Sequence, residues 1–431
     1  MGSAGPDESD RRAVKEQEGD PSMTDKFLVR SGWLIDGTGR PALHGGFLRI
    51  VQGTIETVGS GLPSCQGPDR VLDLSDCTVL PALVDCHVHL CLSGAAEPHQ
   101  RLNGVPRPSA GTDRPIAERL RLCLEAGIAA VREGGDPQGL TLRFRKDRLA
   151  ADSPIRLLSP GAAWHAAGRY GAILGRAVPP GRTLAECVSQ HLDSADHVKI
   201  VQSGLNSLSR FGHETPPQFA TSDLKAAVET AHENGLRAMI HANGFLPVRS
   251  AIEAGCDSVE HGFFMGKENL ERMAGQGISW VPTACAMLAC AQTAPPGSPE
   301  QETARRTLDR QIELIASARA IGVQVACGTD SGTPGVLHGS SIWTELSLLA
   351  RAGFSVEEAV RCATFHGARL LGLEQTLGTL TSGMPATFVA VRAAPSRLFE
   401  TAGRLSPVAF YVNGAEVLIP VPESLILAEE A

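Results

Sequence analysis

The chain has 431 residues, enough for one large domain with a smaller companion or for two or three ordinary ones. Hydrophobic residues make up 42% and charged residues 20%, a globular composition with ample core-forming material. The net charge of −8 is spread out, and no block of Lys and Arg tracks a phosphate backbone, so no nucleic-acid partner is expected.

Residues 1–22 are polar and charged. They lack the apolar stretch of a secretory signal and are expected to be disordered, with Met23 opening the strand-like text. No run approaches the roughly 18 apolar residues of a spanning helix, so no membrane partner is expected either. The 11 cysteines are scattered without a C-x-x-C pair, which fits reduced thiols in a cytoplasmic enzyme.

From Phe27 to Leu80 the text is short β-prone runs broken by Gly, Pro and Asp: Phe27–Arg30, Trp33–Ile35, Gly46–Val51, Thr54–Val58 and Val71–Leu74. The middle alternates apolar strands with helix-period segments. Eight strands are predicted: Val79–Asp85, Ile128–Arg132, Ile155–Ser159, His197–Val201, Arg237–Ile240, Ser258–Glu260, Ser279–Pro282 and Val323–Cys327. Helices are predicted over Ile116–Ala126, Asp223–Asn234, Val248–Ala254, Glu268–Gln276 and Glu302–Ala320, and Ser355-x-x-Glu358 opens another with a capping box. Near the far end, Thr387–Val391, Pro407–Val412 and Glu416–Ile419 read as strands, with Asn413-Gly414 as a type I′ hairpin turn.

Eight strand–helix units imply an α/β chain closed into a (β/α)8 TIM barrel over 78–376. The β-rich ends, 23–77 and 377–425, imply one small composite β-sandwich domain. A doubly wound open sheet competes, but no G-x-G-x-x-G follows the first strand.

Barrel enzymes keep their chemistry at the carboxyl ends of the strands. The first strand ends Asp85-Cys86-His87-Val88-His89, and alternation points His87 and His89 to one side. The fourth carries Lys199 among apolar neighbours. The fifth ends at His241, the sixth at His261, and the eighth runs into Gly328-Thr329-Asp330-Ser331-Gly332. Taken singly, each is readily a hydrogen-bonded interior side chain, a snorkelling lysine or a turn residue. Together, five strands deliver metal-compatible groups at one end, which packing needs alone do not explain.

These stretches resemble the amidohydrolase superfamily, in particular its imidazolonepropionase-like and Xaa-Pro dipeptidase-like branch. The resemblance rests on Leu80-Pro81-Ala82-Leu83-Val84-Asp85-Cys86-His87-Val88-His89-Leu90, Val198-Lys199-Ile200, Ser203-Gly204, His241-Ala242-Asn243-Gly244, Ser258-Val259-Glu260-His261-Gly262 and Gly328-Thr329-Asp330-Ser331-Gly332. It extends from about Leu34 to Leu380. Two positions depart from the family's usual text: Glu133 stands where Asp is common, and Gly383-Met384-Pro385-Ala386-Thr387 replaces a more common Gly-Lys-x-Ala-Asp.

The resemblance implies a metal-dependent hydrolase with two divalent ions, one on His87, His89 and Asp330 and one on His241 and His261, bridged by Lys199 after carboxylation by CO2. Zinc suits these donors best, and manganese, cobalt or iron fits the same set. Asp330 is then the general base and later the general acid in cleaving the C–N bond of an amide, a dipeptide, an N-acyl amino acid or a cyclic amide. The expected partner is such a small molecule, and the family tendency is toward homo-oligomers.

For substrate contact the candidates are His165, Arg169 and Tyr170, in a loop that also holds Trp164 and Arg176 and reads as a lid clamping a carboxylate, together with His338. The loop with His99, Arg101 and Arg107 is a further candidate. A serine hydrolase is set aside because no G-x-S-x-G is present. An isomerase- or deaminase-like member of the same fold and a non-catalytic scaffold stay open.

Overall fold

The computed structural model describes residues 26–61, 70–95, 113–192, 194–400, 405–421 and 425–427. The expected tail over 1–22 and the loop residues His99, Arg101 and Arg107 lie outside the described residues.

The N-terminal text forms β1 (Lys26–Leu34), β2 (Leu43–His44), β3 (Gly46–Val51), β4 (Thr54–Ser60) and β5 (Arg70–Pro81). β1 pairs antiparallel with β3 and parallel with β5. The expected strand over Val79–Asp85 is two strands, because backbone pairing changes partner at Ala82. Ala82 N–H donates to Thr387 O at 3.2 Å, whereas Leu83 N–H donates to Gly127 O at 2.8 Å. β6 (Leu83–Val88) therefore starts in a different sheet from the one β5 ends in.

β6, β7 (Ile128–Glu133) and β8 (Arg156–Leu158) form one parallel sheet. β9 (Ala163–His165), β10 (Gly175–Ala177), β11 (His197–Val201), β12 (Arg237–Ala242), β13 (Ser258–His261) and β14 (Ser279–Val281) form a second, in the order β10-β9-β11-β12-β13-β14. Every residue of β6, β7 and β11 is buried, as befits parallel strands covered on both faces. The predicted helices pack beside them over Asp113–Glu125, Thr221–Glu233, Phe245–Glu253, Lys267–Gln276 and Pro299–Ile321. β9 and β10 were not anticipated. Each has three residues, too few to show a period.

The expected strand over Val323–Cys327 is reduced to a single parallel bridge, Trp280↔Val325. Cys327 N–H donates not to β6 but to Cys362 O at 3.0 Å, in a π-helical turn over Cys362–His366, and this breaks the ladder. The segment stays tied on both sides. Ala326 N–H donates to Trp280 O at 2.9 Å, and Cys327 O accepts Cys86 N–H at 2.9 Å.

β15 (Phe388–Val391), β16 (Pro407–Val412) and β17 (Ala415–Glu416) return to the first sheet, whose order is β17-β16-β15-β5-β1-β3-β4, with β2 on β1. β17 is shorter than the expected Glu416–Ile419. Asn413 (φ +52) and Gly414 (φ +81) make the expected two-residue hairpin turn. Alternation along β15 serves two cores: Val389 and Val391 join the main one, while Phe388 and Ala390 pack with Phe27, Leu48, Ile50 and Tyr411.

The capping box at Ser355 is present, with Glu358 N–H on Ser355 Oγ at 3.2 Å and Ser355 N–H on Glu358 Oε2 at 2.7 Å. Among the described residues, no helix is long and apolar enough to cross a membrane, and the ten cysteines are free thiols.

Candidate metal centre

The carboxyl ends of β6, β12 and β13 bring His87, His89, His241 and His261 into the wall of one cavity with Lys199 and Asp330. The rings form a chain: His89 to His87 at 5.3 Å between centroids, His87 to His261 at 4.9 Å, and His261 to His241 at 4.6 Å. Asp330 Oδ1 lies 3.1 Å from His89 Nε2 and 3.5 Å from His87 Nε2. His87, His89 and Asp330 each offer one ligand atom, all within 4.8 Å of one another.

Backbone strain is concentrated here. Three of the six described non-glycine residues with positive φ are Asp330 (+59°), His261 (+66°) and Thr283 (+46°). Such a conformation costs about 1–3 kcal/mol and persists only where the surroundings enforce it. Asp330 N–H is fixed on His87 O at 2.7 Å. His261 O accepts from Trp280 Nε1 at 3.0 Å and Gln311 Nε2 at 2.6 Å. The turn at His261 also defeats strand alternation, so that consecutive residues Glu260 and His261 both reach His87.

Glu260 Oε2 accepts from His87 Nδ1 at 2.7 Å, and its other oxygen accepts from Arg132 Nη2 at 2.8 Å and from Ser258 Oγ. His87 therefore carries its proton on Nδ1 and turns a bare Nε2 to the centre. His261 Nδ1 meets Thr283 Oγ1 at 2.7 Å. Glu133 Oε1 stands 3.9 Å from His89 Nδ1. Asp85 fastens the two segments that carry His87, His89 and Asp330, accepting from Thr329 N at 2.9 Å, Thr329 Oγ1 at 2.6 Å and His87 N at 3.2 Å. Two glycines make room. A Cβ on Gly134 would sit 2.4 Å from His89 Cε1, and one on Gly328 would sit 2.4 Å from Val281 Cγ1.

Burial, and next to it the Lys199 charge, lowers His87 well below the usual imidazole value; burial does the same to His241 and takes His261 to about 3. Neutral imidazoles are the form that ligates. Burial lowers Lys199 to about 8, against the pull of Glu260. At Asp330 burial acts upward, but the His89 hydrogen bond and the neighbouring imidazoles outweigh it, and the carboxyl sits well below the usual range.

Lys199 Nζ is wholly buried and has no hydrogen-bond partner among the described residues. An orphaned amine facing four imidazoles and a carboxylate is costly without a further group, so the donor set fits a metal centre.

Of the substrate-contact candidates, Tyr170 lines the cavity, its ring 5.5 Å from that of His241. Arg169, His165 and His338 are not in its wall. Arg169 is exposed and donates to Pro216 O at 2.9 Å, His165 Nδ1 meets Ala166 O at 2.9 Å, and His338 Nε2 meets His89 O at 3.3 Å. Arg176 faces away too, donating to Pro137 O at 3.0 Å. The carboxylate clamp expected of this loop is therefore not formed. Glu260, Arg132 and Thr283 escaped the sequence reading. The signal for Glu260 was the polar i, i+2 pair with Ser258 directly before His261, in a strand of four residues.

The model of the Amidohydrolase family matches residues 163–417. The chain belongs to that family. It is similar to the ochratoxinase of Aspergillus niger, 26% identical over 414 residues that span 85% of this chain and 81% of that protein. It is also similar to the imidazolonepropionase of Stenotrophomonas maltophilia (strain R551-3), 26% identical over 382 residues, 81% of this chain and 86% of the other. Among solved structures, a Xaa-Pro dipeptidase with bound methionine aligns at a TM-score of 0.75 and 25% identity, covering 91% of this amidohydrolase and 99% of that chain.

Proposed function

We propose that this amidohydrolase hydrolyses the C–N bond of a small amide, dipeptide, N-acyl amino acid or cyclic amide, with Asp330 as the proton carrier. The observation that carries the reading is that six donor side chains, from His87 to Asp330 in the chain, line one cavity. Relatives named as an ochratoxinase, an imidazolonepropionase and a Xaa-Pro dipeptidase support it.

His87, His89 and Asp330 would hold one divalent ion and His241 and His261 a second, zinc by preference or manganese, cobalt or iron. Lys199 would lie between them as a carbamate, since an ammonium cannot ligate and a carbamate brings two oxygens. Bound divalent ions supply a more acidic water and a positive centre for the carbonyl oxygen.

The protein's own side chains do the rest. Asp330 takes a proton on its carboxylate and returns it to the leaving nitrogen. Glu260 and Thr283 hold His87 and His261 in one tautomer and orientation. Tyr170, whose hydroxyl burial keeps protonated, presents a neutral donor to the cavity.

The same reading takes the two parallel sheets as arcs of one (β/α)8 barrel over 78–376, linked through the bridges Trp280↔Val325 and Val88↔Ser331. It takes residues 23–77 and 377–425 as the small composite β-sandwich domain, although β5 runs across the 77/78 boundary.

The test is to strip the protein with a chelator, verify metal removal, and assay dipeptides and N-acyl amino acids before and after adding Zn²⁺ or Mn²⁺. Activity that survives verified removal rejects the proposal.

A further inference from the structure

The cavity over the six donors has a volume of about 330 Å³, within the range of small-molecule sites. Away from the donors its wall is mainly apolar, through Leu92, Ile173, Leu205, Leu208, Phe263 and Met287. Phe263 and Met287 are buried deep, while Ile173 and Leu205 are 47% and 57% exposed. Large apolar side chains left that exposed beside a cavity are surface that a ligand can cover.

Of the polar groups in the wall, Tyr170, Asn206 and Thr333 are neutral, and Asn243 and the nearby arginines are engaged elsewhere. Asn243 accepts Phe263 N–H at 3.1 Å and gives its amide to Gly204 O at 3.4 Å. Arg169 and Arg176 donate to the backbone carbonyls of Pro216 and Pro137. Lys199, at the donor cluster, is the one Lys or Arg among the described lining residues. A carboxylate seated against Leu205 and Phe263 would lose its water without gaining a counter-charge from the described residues of the wall, whereas an alkyl or aryl group there would gain from burial.

We infer that the substrate of this site carries an uncharged apolar group, a medium-length alkyl chain or an aromatic ring, against this wall, and not a carboxylate. The inference rests on the hydrolytic reading for its chemistry but concerns recognition, so the two can fail separately.

The experiment uses zinc-loaded protein and para-nitroanilides of acetate, butanoate, hexanoate and octanoate, with the mono-para-nitroanilide of adipate as the carboxylate-ended match to hexanoate. In parallel, equilibrium dialysis measures binding of octananilide and of adipanilic acid. A fully buried methylene is worth about a fourfold gain, so kcat/KM is expected to climb severalfold from butanoyl to hexanoyl to octanoyl. The adipoyl compound is expected at least about tenfold below hexanoyl. Leu205→Arg, at an exposed position where a melting curve verifies folding, supplies the missing counter-charge and is expected to shrink the hexanoyl-to-adipoyl ratio. Cleavage of the adipoyl compound as good as that of hexanoyl, or a flat series, overturns the inference while leaving the hydrolase standing. Absence of any cleavage with octananilide bound more tightly than adipanilic acid keeps the inference and removes the hydrolytic reading. Equal or reversed binding overturns the inference whatever the turnover.

Discussion

Glu260 holds His87 by its Nδ1 at 2.7 Å while its second oxygen takes Arg132 Nη2 at 2.8 Å, so one buried carboxylate sets the tautomer of His87 and neutralises a guanidinium. Residues 173 positions apart in the chain thus act as one unit.

Glu260→Gln tests that unit. The amide has one oxygen for donors that now use two, and its NH2 opposes either Arg132 or His87. Metal affinity, read by competition with a chromophoric chelator, is expected to fall about 10–100-fold, the usual cost of losing such a partner. Ser258→Ala removes a hydroxyl contact of the same carboxylate without freeing a charge, and its affinity is expected to stay close to wild type. Wild-type affinity in the Glu260→Gln protein would refute the role.

Gly134 is a steric test of the same centre. Gly134→Ala brings a methyl to 2.4 Å from His89 Cε1, so the ring must turn away from Asp330. Metal content per chain is expected to drop while the far-ultraviolet circular dichroism spectrum holds. The control is Gly275→Ala, in the helix over Lys267–Gln276, where an added Cβ meets nothing within 4 Å. There Ala is expected to raise stability by about 0.5–1 kcal/mol with metal content unchanged. Equal metal content in both proteins would show that His89 needs no such clearance.

The parts of this architecture that were legible in the text are those written locally. β3, β11 and β16 match their predicted bounds because polar or turn residues flank them, Gly45 and Gln52, Asp196 and Gln202, and Asn413, and the type I′ turn follows from Asn413-Gly414. The residues of the cavity wall were legible because His87, His241 and His261 stand at or next to the carboxyl ends of their strands, where packing alone has no use for an imidazole. What stayed hidden depends on distant partners. No local pattern reveals that Cys327 N–H goes to Cys362 O, which is why Val323–Cys327 looked like a strand. Nor does Arg169 disclose that its guanidinium is held by Pro216 O outside the cavity. The positive φ of His261, which lets Glu260 share its direction, is imposed by Trp280 and Gln311 from other elements.

Glu345 gives a pH dependence with a definite sign. It is fully buried, accepts Ala284 N–H at 3.0 Å and Cys285 N–H at 2.7 Å, and burial raises it to about 7 against the opposing pull of those two donors. A raised folded pKa means the native state holds its proton longer than the unfolded chain. The contribution is therefore complete below the unfolded value of 4.5 and is lost as pH rises to about 7. Asp85, also raised to about 7 by burial, adds the same sign, and the lowered histidines add the opposite one. The clean quantity is thus the difference between wild type and Glu345→Gln. Gln lacks one acceptor, costing about 1–3 kcal/mol at pH 4.5, and by pH 8 the wild-type stability relative to the variant is expected to have fallen by about 3 kcal/mol, cancelling or reversing that advantage. Urea unfolding at both pH values measures it, and a difference that does not change with pH would sink the assignment.

Lys199→Met separates the two roles a buried lysine can have. The substitution roughly keeps the volume and removes the unpartnered, wholly buried amine. If Lys199 serves packing, the variant behaves as wild type in every respect. If it is kept for the metals, stability and metal content move in opposite directions. Removing an uncompensated buried charge is expected to leave the metal-free protein as stable as wild type or more so, by up to about 3 kcal/mol. Without the carbamate the four imidazoles and Asp330 lose the anion between them, and bound metal is expected to fall from two ions per chain to one or fewer. Unfolding of the metal-free proteins gives the first readout, and elemental analysis after dialysis against a weak chelator gives the second. Two ions held as tightly in the variant as in wild type would mean that Lys199 does not bridge them, and the metal centre would have to be rebuilt on the histidines and Asp330 alone.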